Sequence, residues 1–319
     1  MTRLALFVAL AGAAMSAAAQ SYPARPVKFV VPFPPGGGVD IVARAVGEKL
    51  SPRLGQPIVI ENKPGGGTTI GTDAVAKSAP DGYTLLVSGI ASQAIVHHMN
   101  PHRPFDMQRD FAPVARIADG TIAFVVPASS PANSVMDFVA LAKREPGKLT
   151  FASSGTGGII HLTGEMFQQA AGIDLTHVPY KGTTQILPDI LDARVDLALD
   201  SLPAYLPHIK SGRVKVFAVA SRERSALFPG LPTMAQAGVP GVVAATDYAL
   251  FAPTGTPPGV IARLHRETAA LLEMADLRAK LATQGIEVRG GTPEALKAEL
   301  AGEMEKWGRV IKAANIKPE

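Results

Sequence analysis

Short runs rich in Val, Ile and Phe alternate along the chain with stretches whose apolar residues recur at helical spacing. The first pattern predicts strands at residues 27–32, 58–61, 84–88, 122–126, 150–153, 195–199, 214–220 and 248–252. Helical patterns follow most of them. After the first strand, Val42, Val46 and Leu50 fall on one helix face, the face that must turn to a sheet. Leu296, Leu300, Met304, Trp307 and Ile311 repeat the arrangement in a helix predicted over residues 293–314. Strand and helix in alternation predict an α/β fold with largely parallel sheets.

Two segments resemble each other. Residues 124–143 and 250–272 both read strand, proline, short polar or glycine turn, proline, helix. If they mark two places where the chain crosses between lobes, residues 20–124 and 248–319 form one lobe and residues 125–247 the other. The same order is also common in α/β proteins without any crossing, because proline suits the first helical turn.

The N-terminus changes the setting. Arg3, an apolar run over residues 4–15 and the small residues Ala17, Ala18 and Ala19 make a secretory leader, cleaved after residue 19. The run is too short for a comfortable membrane span, and no later segment has spanning length. About 300 residues then remain, enough for two domains. Lys and Arg number 31 against 27 Asp and Glu, a formal net charge of +4 scattered along the chain. No basic cluster interleaves with aromatics, which argues against a nucleic-acid partner. The chain has no cysteine. Core packing must therefore hold the exported fold, and thiolate metal sites, iron–sulfur clusters and thiol catalysis are excluded.

The candidate chemistry lies in glycine turns that lead into helices. "FPPGGGVD", "KPGGGTTIG", "SSGTGGIIH" and "YKGTT" each bring bare backbone to a helix start, where unpaired N–H groups and a partial positive charge suit a carboxylate or phosphate. In parallel α/β sheets such turns lie at the ligand-binding edge. No Walker lysine and no G-x-G-x-x-G with a distant acid is present, so a nucleotide is poorly supported.

In combination, "VPFPPGGGVDIVAR", "ENKPGGGTTIGTDAVAKSAPDGYTLL", "HVPYKG" and "LFAPTGTPP" resemble the Bug-type extracytoplasmic solute-binding proteins of tripartite tricarboxylate transporters, over essentially the whole chain after the leader. The resemblance implies a two-lobe periplasmic binding protein of type II (Venus-flytrap) with two interlobe crossings. Such a protein is not an enzyme, needs no cofactor or metal, captures a small organic carboxylate and hands it to membrane permease subunits; a monomer is expected for a shuttle. It further implies that Phe33, Pro35, Gly36, Gly37 and Asp40, with Ser88 and Ser92 nearby, border the first-lobe wall. Ser154, Gly155, Thr156, Gly157, His161 and Asp200 would face them from the second lobe. Val39 stands where members often carry Thr, and "SGIASQAIVHH" and "AATDYALFAP" do not align closely, which leaves ligand-specific contacts there open.

Several of these residues have plainer readings. Asp200 can cap the helix that follows it, and Asp40 reads as an N-cap. His161 can donate to an anion or simply pack in a first helical turn. His97, His98 and His102 suggest a metal, but Pro101 and Pro104 break the spacing and a solvated loop is expected. Two rival functions use the same cleft: an exported hydrolase or isomerase acting through Ser154 or His161, although no G-x-S-x-G or H-E-x-x-H occurs, and a receptor module signalling to a membrane sensor.

Overall fold

The computed structural model describes residues 22–317, so the leader expected at residues 1–19 lies outside the described residues. The first strand, β1 (Val27–Val31), pairs in parallel with β2 (Ile58–Asn62) and β3 (Thr84–Ser88). Helix α1 (Gly38–Leu54) follows β1, α2 (Thr69–Ala76) follows β2, and α3 (Ile90–Met99) follows β3. Next comes β4 (Phe111–Pro127), a strand of 17 residues. The middle of the chain then runs α4 (Val135–Arg144), β5 (Thr150–Ser153), α5 (Ile159–Ala171), β6 (Thr176–Pro179), α6 (Thr183–Leu191), β7 (Leu197–Ser201), the short α7 (Leu206–Lys210) and β8 (Val214–Val219). After β9 (Ala245–Pro253) come α8 (Pro258–Leu272), α9 (Ala275–Ala282), β10 (Ile286–Val288) and α10 (Pro293–Ala313).

The strand order is β2-β1-β3-β9-β4-β7-β5-β6, with β8 and β10 also paired to β4. Strand β4 joins the two halves. Its residues from Phe111 to Thr121 pair with β9, Ile122 to Val125 pair with β7, and Ala123 to Pro127 pair with β8. The sheets are less parallel than the sequence pattern predicts. Outer strands are parallel (β1 with β2 and β3, β5 with β6 and β7), but every pairing made by β4 and β9 is antiparallel. These two long strands run back against the strands they join, which alternation alone does not reveal. Strand β4 also starts at Phe111, eleven residues before the predicted strand, and β6 and β10 are additions.

Apolar faces fall where the periodicity puts them. Val42, Val46 and Leu50 of α1 bury against Phe29, Leu85 and Leu250 of the sheet, with Leu264 and Leu271 of α8 beside them. On the other face, Leu296, Leu300, Met304, Trp307 and Ile311 of α10 join a core that continues through Phe124, Phe138 and Phe167. Phe124 meets Phe138 and Phe167 edge to face at 5.3 and 5.2 Å, a favoured aromatic geometry. Thr292 starts α10 by accepting Ala295 N–H, and Pro293 supplies a first residue that needs no N–H partner. Gly71 permits a tight crossing: a Cβ there would lie 2.6 Å from the Lys63 carbonyl oxygen and 2.9 Å from Pro32 Cα.

Candidate functional site

Four helices begin at one cavity of about 450 Å3. Gly38 and Val39 of α1, Ser92 of α3, Ile159 and Ile160 of α5 and Thr183 of α6 all line it. Their N-caps are Gly37, Gly89, Gly158 and Gly182, none of which contributes a capping side chain. Helices α4 and α10 have no residue in the cavity, and they are capped by Ser134 and Thr292. A glycine cap offers first-turn amides no acceptor of its own, although in α3 Asp247 accepts Ala91 N–H, and each helix adds a partial positive charge. The cavity thus meets positive backbone ends from both halves of the fold while, among the described residues, no Lys, Arg or His lines it.

The remaining wall comes from the long strands, the end of β7 with Pro203 after it, and Ile41, Gln284 and Ile286. Gly120, Thr246, Asp247 and Tyr248 lie where β4 and β9 pass the cavity, and Asp200, Ser201 and Pro203 close the far side. Tyr248 is buried, with its hydroxyl 3.4 Å from Thr246 Oγ1. Burial pushes its phenol up to about 12, so it enters the cavity protonated. A Cβ on Gly38 would overlap that hydroxyl, and one on Gly120 would come within 3.1 Å of it. Gly38 makes room for the ring, and Gly120 chiefly for Thr246 Oγ1.

Of the residues expected at the site, Phe33, Ser92, Ser154 and Asp200 line this cavity. Asp200 is 1 % exposed and accepts from Ser201 N–H (2.7 Å), Thr183 Oγ1 (2.9 Å) and the Tyr205 hydroxyl (3.0 Å). Burial raises its carboxyl above the usual range, against these three bonds. It fixes Thr183 in place. Pro35, Gly36 and Gly37 lie exposed on the turn before α1. Asp40 braces that turn from below: its carboxylate accepts Gly36 N–H, Arg44 Nε and Asn62 Nδ2, each at 2.9 Å. Burial opposes ionisation of Asp40, but these donors outweigh it and hold the carboxyl below its ordinary value. The N-cap position belongs to Gly37, not Asp40. Ser88 is fully buried and accepts Gln93 Nε2 at 2.9 Å. Gly155 and Thr156 sit on the loop after Ser154, where Gly155 N–H donates to Ser153 Oγ. No residue of the Gly65, Gly66, Gly67 turn lines the cavity.

Gly157 and His161 are coupled. Gly157 N–H donates to His161 Nδ1 at 3.0 Å, which leaves the ring's Nε2 to carry its proton, 3.5 Å from Glu165. The ring stacks on His177 at 3.8 Å. His177 Nε2 in turn lies 2.7 Å from Ser153 Oγ, whereas no hydrogen bond joins Ser154 to His161 among the described residues. Burial, then the neighbouring His161, pushes His177 from 6.5 down to about 4. An unfolded chain binds this proton near 6.5 and the folded one does not until about 4, so stability falls as pH drops through that window. Melting temperature measured across it should decline less in His177→Gln than in the parent; identical profiles would contradict the assignment.

His97 and His98 are not in a loop, as the sequence pattern suggests, but in the last turn of α3. His98 Nε2 lies 2.8 Å from the Met304 carbonyl oxygen, and His97 packs beside Arg103 and Asp106. Prolines 101 and 104 end the helix only after both. Asp247 and Tyr248 are the site residues the sequence pattern misses. Their segment lies far along the chain from α1 and α3, and only the pairing of β9 with β3 and β4 brings it there.

The match to known proteins agrees with this architecture. Residues 42–316 match the family described as tripartite tricarboxylate transporter family receptor. The chain is 37% identical to Protein BugT of Bordetella pertussis, across 99% of each sequence. Among solved structures, Rpa4515 of R. palustris with adipate is 35% identical at a TM-score of 0.81, covering 93% of this chain and 100% of that one. MatC (Rpa3494) from Rhodopseudomonas palustris with bound malate is 30% identical at a TM-score of 0.76, covering 91% and 100%. Fold, extent and identity together make this chain a member of the tripartite tricarboxylate transporter receptor family, with the two-lobe fold of a periplasmic binding protein.

Proposed function

We propose that the protein captures a small organic carboxylate in the cavity between two lobes and delivers it to the membrane subunits of a tripartite transporter. The lobes are residues 20–124 with 248–319, and residues 125–247, joined where β4 and β9 cross. Residues 1–19 act as a cleaved export leader, and the mature protein works in the periplasm as a monomer. The observation that carries the reading is the meeting of four glycine-capped helix starts at one cavity that, among the described residues, no basic side chain lines. Backbone N–H groups hold an anion without a salt bridge, and the adipate and malate in two relatives are anions of this class. Phe33, Ser92, Ser154 and Thr183 then select size and shape. Ligand that touches both lobes favours the closed arrangement by as much as it binds that arrangement better than the open one.

Ligand-stripped protein should be stabilised by at least one of adipate, malate, citrate and benzoate, by about 2.7 kcal/mol at a hundredfold excess over Kd. Calorimetry and thermal shift measure this. Folded protein that responds to none of the four would overturn the reading.

A further inference from the structure

Asp247 stands where two cavities meet. It lines the ligand cleft, and also a second cavity of about 410 Å3 behind the crossing strands, with Arg116, Asp119, Arg289, Glu303 and Lys306. In the ladder between β4 and β9 it lies opposite Asp119. Three of the basic groups behind it pair with other acids, while the exposed Arg222 also lines this cavity and Arg116 Nη1 is buried without a hydrogen-bond partner among the described residues. Arg116 bridges Asp119 (2.6 Å) and Glu299 (2.7 Å), Arg289 reaches Asp119 and Glu287 (both 3.4 Å), and Lys306 pairs with Glu303. Asp247 itself is 6 % exposed and has no ion-pair partner among the described residues. One donor serves its carboxyl: Ala91 N–H at the start of α3, 3.1 Å from each oxygen. Its Oδ1 and Ser92 Oγ flank Gly89, where a Cβ would come within 3.3 and 2.9 Å of them.

An ionised carboxylate in this place would face Glu303 and Asp119, with one shared N–H and the nearby Arg116, itself paired with Asp119 and Glu299, to offset its charge. A proton removes the conflict and turns the group into a donor. Burial first, then Glu303 and Asp119, raise Asp247 to about 8, against Ala91 N–H and Arg116.

We propose, resting on carboxylate capture as the function, that Asp247 is a specificity-determining residue of the cleft: as a neutral acid it donates its O–H to a ligand carboxylate and disfavours a ligand that would place an ammonium group there. The proton stays on Asp247 throughout, while Ala91 N–H remains on the carboxyl. Above about pH 8 the acid must first take a proton from solvent, so capture and proton uptake become one event. An ammonium group would meet a donor where it needs an acceptor.

The test uses whichever of adipate, malate, citrate and benzoate binds tightest, with 2-aminoadipate as the ammonium-bearing control. Calorimetry from about pH 6 to about pH 9.5 should show Kd rising about tenfold per pH unit above about 8 in the parent protein. Asp247→Asn keeps a donor but cannot titrate, and its profile should be flat. Glu303→Gln removes a negative charge behind the cleft, and should move the break to lower pH even if the first variant folds poorly. A merely structural role for Asp247 would not move a break. Tight binding with a flat parental profile, or affinity that rises with pH and favours 2-aminoadipate, overturns this inference and leaves carboxylate capture standing. Failure of all four carboxylates overturns both.

Discussion

Gly38→Ala is expected to destabilise the protein by ~1–3 kcal/mol and to weaken carboxylate capture at least about tenfold, or ~1.4 kcal/mol. Gly38 is the first residue of α1, and its missing side chain is what lets the Tyr248 hydroxyl lie against the helix start. A Cβ there would overlap that oxygen and lie 3.1 Å from Cζ. Either the ring swings into the cleft or α1 moves away, and both disturb amides proposed to hold the anion. Adding Tyr248→Phe should recover part of the lost stability, since it removes the overlapping atom but keeps the ring. Urea denaturation and calorimetry on the two variants measure the effect. An alanine variant with parental stability and affinity would show that the contact is not tight.

Trp307→Ala is expected to cost ~3–5 kcal/mol. Trp307 is fully buried and the chain's one tryptophan, in the stripe of α10 that reaches the core shared by both halves. Its indole N–H also donates to Glu303 at 2.7 Å, so truncation opens a large cavity and leaves an acceptor with one donor fewer. The midpoint of urea unfolding should fall with little change in slope, read by far-ultraviolet circular dichroism because the variant has no tryptophan to fluoresce. A loss under about 1 kcal/mol would mean that the site collapses around the gap.

The apolar stripes of α1 and α10 are legible in the sequence because one helix face is enough to encode them. The first half of β4 is not. Its segment "FAPVARIADG" contains Pro113, Arg116, Asp119 and Gly120, which read as a loop. In the fold, Pro113 sits at a register shift against β9, where a strand tolerates proline, and Arg116 and Asp119 pair with one another in the second cavity. The cleft divides in the same way. Glycine turns announce helix starts, but not that α1, α3, α5 and α6 converge while the turn before α2 lies elsewhere. Phe33, Ser92, Ser154 and Asp200 follow from the family resemblance, and each sits beside such a start or strand end. Asp247 and Tyr248 lie within an ordinary apolar strand pattern, and only long-range pairing exposes them to the cavity.

Strand β9 lies between β3 and β4, yet it is made long after both. Until residues 245–253 leave the ribosome, one flank of β3 and the first stretch of β4 have nothing to bond to between them. The earlier part of the polypeptide therefore cannot close its sheet ahead of time, and the facing edges of β3 and β4 wait for a strand supplied from near the end of synthesis.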